Sequence, residues 1–265
     1  MTKTTSSRIE ELERVWTPEA RWTIPEAPRE SVFLFPAFGP GNYDNVLGQV
    51  IESKTVLPNG EQYAFLLDEA YNSMDKAIKK SPRSEFIRKD IMYDGWLWVP
   101  SVNVWTPKDA KIPGMYSVFD ENGQGLTKVY KLEELEDRLS KGDTGKGVRF
   151  SQDRTVAFAP QKTIRAGEHE KGTLAQDGAF IANYGIEGSE ALDRVAEQFR
   201  FKPYSWIVDN DSNKNVQSLS ALGRVRDFDD GRLIAYFSSY GNGRYGYIVS
   251  VSGSSSVAAG DASEK

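Results

Sequence analysis

The hydrophobic pattern changes period at Trp96, and this change constrains the fold more than any other feature of the sequence. Before it, apolar residues recur at helical spacing, as in 59–80, where Asn59 and Gln62 form a variant capping box. After it, apolar and polar residues alternate between Gly, Asn and Asp turns, which is typical of β-strands. The sequence therefore predicts an α+β protein: a helical N-terminal third, then a mixed, largely antiparallel β-rich part.

Proline residues divide the chain into its predicted parts. Five prolines and many aromatic side chains fall in 17–42, which we interpret as an extended arm wrapping over a neighbouring surface. Two further prolines lie in the polar stretch 106–114, which marks a boundary. We expect a helical part with its Pro-rich arm over 1–107, a β-rich part over 108–252, and a disordered tail over 253–265.

The composition excludes several classes of function. There is no cysteine in 265 residues, so disulfides, thiolate metal sites, iron–sulfur clusters and cysteine nucleophiles are excluded. No window approaches the roughly 18 unbroken apolar residues of a membrane span, and the first residues lack the apolar core of a signal peptide. We therefore expect a soluble, cytoplasmic protein without a membrane partner. A net charge of −5 argues against a surface devoted to phosphate binding.

Short motifs that could carry enzyme chemistry all depart from their patterns. The glycine-rich segment 142–147 lacks the first glycine and the final Ser/Thr of a phosphate-binding loop. Segment 207–215 resembles the start of a calcium loop, but Lys214 replaces the turn glycine and Ser220 the bidentate glutamate. His169, the only histidine, lies in a polar segment that predicts a solvated loop. We predict no cofactor, no metal and no catalytic residue, and favour a non-catalytic binding or protein-interaction function.

One segment, 179–211, predicts a ligand site. We interpret it as a βαβ unit, whose two parallel strands would end at the same sheet edge, beside the N-terminus of the intervening helix. That edge is where open α/β sheets bind ligands, and a helix N-terminus favours anions. The predicted partner is therefore a protein or a small anionic ligand, and the predicted ligand-binding residues are Asn183, Tyr184, Gly185, Ser189, Asp209 and Asp211. As an alternative, Asp209 and Asp211 would bind a divalent metal for hydrolysis or phosphoryl transfer.

A second alternative is weak binding of single-stranded nucleic acid through 76–105. Six basic and three acidic residues occupy 75–90, directly before three tryptophans, and basic stretches beside stackable rings are typical of such binders. The residues assigned to this alternative are Lys79, Lys80, Arg83 and Trp105. We favour it less, because charges opposite an apolar helix stripe are usually its solvated face.

The three tryptophans receive different predictions. Leu97 and Val99 are apolar like Trp96 and Trp98, so the strand that begins here is apolar on both faces and both tryptophans are expected in the core. Trp105 falls on the polar side of the following alternation and is predicted to be an exposed contact.

Overall fold

The computed structural model describes residues 20–24, 31–224, 231–243 and 245–252. The predicted tail, 253–265, lies outside these ranges. Within them the strands are β1 (Ala20–Ile24), β2 (Ser31–Phe35), β3 (Phe38–Gly41), β4 (Trp96–Trp105), β5 (Gly114–Phe119), β6 (Asp143–Gly145), β7 (Val148–Phe150), β8 (Val156–Pro160), β9 (Gly167–Glu168), β10 (Tyr204–Trp206), β11 (Val216–Arg224), β12 (Leu233–Ser239) and β13 (Gly246–Ile248). The α-helices are α1 (Tyr43–Glu52), α2 (Gly60–Asn72), α3 (Lys76–Lys79), α4 (Pro82–Phe86), α5 (Leu132–Ser140) and α6 (Gly178–Ala196).

Side-chain caps explain where the longer helices begin. The side chain of Asn42 accepts a hydrogen bond from the backbone of Asn45 at the start of α1. The capping box predicted for α2 is confirmed, since Asn59 and Gln62 each accept from the other's backbone N–H. The side chain of Asp177 caps α6 by accepting hydrogen bonds from the backbone N–H groups of Ala179 and Phe180.

Most strands belong to one mixed sheet. Its order is β6-β7-β8-β5-β4-β11-β12-β10-β9, and β1 and β2 form a separate antiparallel pair. The last described strand, β13, runs parallel to β4 and antiparallel to β3. Only the β10–β12 and β13–β4 pairings are parallel within the described strands, so the prediction of a mixed α+β fold is confirmed.

The central strand β4 divides the core into two layers. Leu97, Val99 and Trp105 point to the layer that contains α2 and α6, which we call the α6 face. Trp98 and Val102 point to the opposite layer, which contains α1 and α5 and is called the α1 face. All five side chains are buried, because the sheet is covered on both sides at its centre.

The first part of the chain is less helical than predicted. It contains α1 to α4, but the predicted arm at 17–42 contributes β1, β2 and β3, because extended Pro-rich chain can pair at sheet edges. The predicted boundary after residue 107 follows β4, which is a central strand of the sheet built mainly from later residues. The two predicted parts therefore share one sheet.

The predicted βαβ unit is wrong. Residues 178–196 form two consecutive helical stretches that meet at a kink and are together called α6, and β10 pairs in parallel with β12 instead of with a strand at 179–184. Phe180, Ile181 and Tyr184 all face the core, which fits helical spacing as well as a short buried strand, so the apolar run was ambiguous. The kink is at Gly185, whose φ of 70° and ψ of 174° interrupt the helical conformation.

Helix α2 packs closely against α6 through a glycine, and this contact can be tested. A Cβ at Gly60 would lie 2.0 Å from the carbonyl oxygen of Asn183, whereas a Cβ at Gly48 in α1 would meet no atom within 4 Å. We expect Gly60→Ala to lower the free energy of unfolding by more than about 2 kcal/mol through steric overlap. Gly48→Ala should leave it unchanged or raise it by up to about 1 kcal/mol through helix propensity. Urea denaturation measures both; equal effects would contradict the close packing of α2 on α6.

Candidate functional site

The predicted ligand residue Asn183 is part of the interior. Its side chain is buried, and its Oδ1 accepts hydrogen bonds from Ser117 Oγ at 3.1 Å and from Ser220 Oγ at 2.7 Å. Its Nδ2 donates to the carbonyl of Ala179 at 3.1 Å. Asn183 therefore joins α6 to strands β5 and β11 through its Oδ1, while its Nδ2 bonds within α6.

The same hydrogen-bond network contains Trp105. Trp105 is only 1% exposed, and its Nε1 donates to Ser218 Oγ at 3.0 Å and to the carbonyl of Phe237 at 3.2 Å. The prediction that Trp105 is an exposed contact was therefore wrong. Asn103, on the same side of β4, is also buried, and its Nδ2 donates to Ser220 Oγ on β11 at 2.8 Å.

Three further predicted residues lie around the kink of α6. Tyr184 is buried against Phe180 and Phe237, and burial raises the pKa of its hydroxyl well above the usual range. Ser189 donates to the carbonyl of Gly185 at 2.7 Å, so it bonds within α6. None of the three begins a separate helix after a strand, which was the geometry that the prediction assumed.

The carboxyl groups of Asp209 and Asp211 lie at the surface with another partner. Lys108 Nζ is 2.5 Å from Asp209 Oδ1 and 2.8 Å from Asp211 Oδ1, and all three side chains are more than half exposed. Within the described residues there is no group of three or more His, Cys, Asp or Glu side chains that could hold a metal ion. The lysine ammonium group occupies the position between the two carboxylates that a cation would take in the metal-dependent alternative.

The basic residues of the nucleic-acid alternative lie around α3 and α4. Lys79 ends α3, Lys80 follows it and is exposed, and Arg83 lies in α4. Arg88, in the same basic stretch, donates to the backbone carbonyls of Ala70 and Lys79 at 2.8 Å each. Part of the positive charge therefore stabilises the local fold, and the stacking ring assigned to this alternative is buried.

His169 is buried instead of solvated. It is 2% exposed, its Nε2 lies 2.8 Å from Ser205 Oγ, and its ring packs edge-on against Phe180. Burial, with a smaller contribution from Arg165, lowers its pKa to about 4. The segment is ordered because β9 pairs with β10 and the backbone N–H of His169 donates to the carbonyl of Pro203.

The sequence did not indicate one further feature, a cleft where β4 begins and β11 ends. Its volume is about 180 Å³, and it is lined by Tyr93, Asp94, Gly95, Trp96, Gly223, Arg224, Tyr236 and Tyr245. We call it the aromatic cleft. The strand register pairs Trp96 with Gly223, and Gly223 with Ile234. A Cβ at Gly223 would lie 3.2 Å from the Cβ of Trp96, and Gly243 lies against the Trp96 ring.

The walls of the aromatic cleft are accessible. Tyr245 is 58% exposed and Tyr93 41% exposed. The guanidinium of Arg224 lies 4.5 Å from the centroid of the Tyr93 ring, which holds that ring by a cation–π contact. Trp98 is in the core as predicted, whereas Trp96 is half-buried and forms a wall of the cleft. Only the register of distant strands brings these residues together, and the sequence does not reveal that register.

Comparisons with known proteins give one informative result. No family model and no curated protein matches the chain. A solved structure described as "Accommodation of massive sequence variation in Nanoarchaeota by the C-type lectin fold" superposes with a TM-score of 0.53 at 16% sequence identity. The match covers 85% of this chain and 100% of that chain. The fold is C-type lectin-like. At this identity the likeness concerns the fold alone.

In the described part of the chain, no helix combines the length and the apolar character needed to cross a membrane. The cytoplasmic location stays a prediction.

Replacing Asn183 tests whether its buried hydrogen bonds stabilise the fold. Asn183→Ala would leave the Ser117 and Ser220 hydroxyls without their acceptor, so we expect it to lower the free energy of unfolding by about 2 to 4 kcal/mol. The control is Asp209→Asn with Asp211→Asn, which removes only exposed ion pairs and should cost less than about 1 kcal/mol. Chemical denaturation measures both, and a cost below about 1 kcal/mol for Asn183→Ala would contradict the structural role.

Because burial lowers the pKa of His169, we expect the stability of the fold to depend on pH. A lowered folded-state pKa means that the unfolded chain binds more protons between pH 6.5 and 4, so stability falls as pH falls through this window. The loss is about 2 to 3 kcal/mol between pH 7 and pH 4.5. His169→Gln should show a correspondingly smaller acid destabilisation than the wild type, measured by denaturation at both pH values.

The test compares the loss of stability on acidification in His169→Gln with the same loss in the wild type. Burial raises the pKa of Glu61 to about 7 and of Asp177 to about 6, and these carboxyl groups change stability in the opposite direction. Both are present in both proteins, so their contributions cancel. Parallel pH profiles for wild type and His169→Gln would show that His169 is not buried in its neutral form.

Proposed function

We propose that this is a non-catalytic binding protein, and that its partner is another protein contacted through the aromatic cleft. The observation that carries the proposal is the set of rings around the cleft. Trp96, Tyr236 and Tyr245 line it together with Tyr93, and the side chains of Tyr93 and Tyr245 are exposed. Tyrosine and tryptophan are enriched in protein–protein interfaces and provide most of their binding hot spots.

The size of the cleft favours a protein partner over a small molecule. Pockets that enclose small ligands have volumes of roughly 300–1,000 Å³. The aromatic cleft has about 180 Å³, which is too small for that mode but sufficient for one inserted side chain. An anchor side chain placed between rigid rings is how hot spots in protein interfaces commonly pair.

The charge of the cleft supports the same choice. The charged residues that line it in the described part of the chain are Asp94 and Arg224, which have opposite signs. Such a lining does not concentrate positive charge, so it favours neither nucleic acid nor a small anion. Apolar contact area is therefore the main source of affinity that the cleft offers.

The fold likeness is compatible with this proposal. The neighbouring structure is described as a C-type lectin fold that accommodates massive sequence variation. A fold whose framework tolerates different surface residues is well suited to presenting a contact surface. This support is weaker than the cleft itself, because the shared fold does not identify a partner.

The experiment compares two kinds of exposed tyrosine. Immobilised wild-type protein is used to isolate partner proteins, and each partner is then measured against variants by biolayer interferometry. Tyr93→Ala and Tyr245→Ala should each weaken binding at least about tenfold, because each removes an aromatic wall. Tyr240→Ala is the control, since Tyr240 is 60% exposed but does not line the cleft, and it should change the affinity less than about twofold.

Circular dichroism and thermal unfolding establish that each variant is folded. A partner that binds both cleft variants as tightly as the wild type contradicts the proposal. So does a partner that loses the same affinity with Tyr240→Ala, because that result would indicate a general loss of surface tyrosine contact.

A further inference from the structure

A second pair of aromatic residues lies on the same face of the sheet as Trp96 and Tyr236 of the aromatic cleft. Paired residues of neighbouring strands point to the same side of a sheet, so the register can be followed across four strands. Two adjacent rows run from β4 through β11 and β12 to β10: Trp96, Gly223, Ile234 and Tyr204 in one, and Trp98, Ala221, Tyr236 and Trp206 in the other. Tyr204 and Trp206 are therefore on the α1 face, at the far end of these rows.

These two residues form a surface that we call the aromatic shelf. The ring centroids of Tyr204 and Trp206 are 5.1 Å apart, and Trp206 is 50% exposed. Tyr236 lines the aromatic cleft and is the direct strand partner of Trp206, so a residue of the cleft and a residue of the shelf lie side by side on neighbouring strands.

We propose that one extended segment of the partner protein crosses the strands and contacts both places, with apolar side chains at positions i and i+4 in the cleft and on the shelf. This inference rests on the proposed function and adds the conformation and chemistry of the bound segment.

The distance between Trp96, in the wall of the cleft, and Tyr204, on the shelf, fits an extended segment. Trp96 and Tyr204 are separated by three inter-strand spacings, which is about 14 Å. In an extended chain, residues i and i+4 lie about 13 Å apart and point to the same side. In an α-helix the same distance corresponds to about nine residues and a rotation of about 900°, which puts the second side chain on the opposite side.

The charged groups around the shelf are paired with one another, which favours an uncharged segment of the partner. Lys202 Nζ lies 2.5 Å from Glu170 Oε1, and Arg232 Nη1 lies 3.4 Å from Glu168 Oε2. These two positive and two negative groups compensate one another. A charged segment would gain no complementary charge here, so the bound segment is apolar or neutral and its affinity depends little on salt.

The exposed area argues against a second copy of this chain as the occupant. The three most exposed rings of cleft and shelf, Tyr93, Tyr245 and Trp206, are each about half exposed. With about 200 Å² per aromatic side chain, they offer roughly 300 Å². A stable dimer needs about 800 Å² from each partner. One crossing segment matches the smaller area.

The test uses synthetic peptides as probes. Three uncharged Ser/Thr peptides carry two leucines at i and i+4, at i and i+3, or at i and i+2. Binding to the full chain is followed by tryptophan fluorescence and by the indole N–H signals in NMR spectra, at low and high salt. We expect the i, i+4 peptide to bind at least about fivefold more tightly than the other two, with the same preference at both salt concentrations.

Substitutions in the cleft and on the shelf test whether both contribute to the preference for the i, i+4 peptide. Trp206→Ala and Tyr245→Ala should each reduce binding of the i, i+4 peptide to the level of the other peptides, and Tyr240→Ala should not. If spacing has no effect while Tyr245→Ala still weakens binding, the cleft accepts a single side chain; the inference is then wrong and the proposed function stands.

Four other outcomes also overturn the inference. No binding of any peptide, or binding that no cleft or shelf variant affects, removes the extended segment; in the second case the cleft is also not the contact surface. Sedimentation velocity that shows a dimer broken by Trp206→Ala would assign the shelf to a second copy. A preference that disappears at high salt would show that charge, not apolar contact, selects the peptide.

Discussion

The fold depends on the burial of β4 from both sides. This strand hydrogen-bonds to β5, β11 and β13, and its side chains alternate between the two core layers. Leu97 and Val99 contact the layer of α2 and α6, while Trp98 and Val102 contact the layer of α1 and α5. Because neighbouring strands take their register from β4, the positions of Gly223 and Ser220, and with them the cleft and the buried polar network, follow from this one strand.

The sequence predicted features that depend on local spacing. The change of period at Trp96 predicted the mixed composition of helix and strand, and the Asn59–Gln62 pair predicted the start of α2. Apolar residues on both sides of the strand placed Trp98 in the core. Such predictions succeed because capping and periodicity are set by residues within one or two turns of each other.

Features that depend on long-range packing were not predicted. Asn183, Trp105 and His169 were interpreted as solvent-facing because they are polar or follow polar neighbours, yet each is buried with a hydrogen-bond partner in another element. A polar side chain tolerates burial when a distant group satisfies it, and a single sequence does not show that group. The aromatic cleft escaped prediction for a similar reason, since Tyr93, Tyr236 and Tyr245 are brought together only by strand pairing.

Strand β13 has a consequence for how the chain reaches this fold. It lies between β3 and β4, pairing Gly246 with Gly41 and with Trp96, so its contacts span about 150 and 200 residues of sequence. A nascent chain that has reached residue 240 has made β3 and β4 but not the strand that joins them. Contacts of such long range slow folding, because loop-closure entropy is lost before they form. The edge of β4 that β13 later covers therefore stays open during synthesis, at the stage when the polypeptide is most exposed to mispairing with other chains.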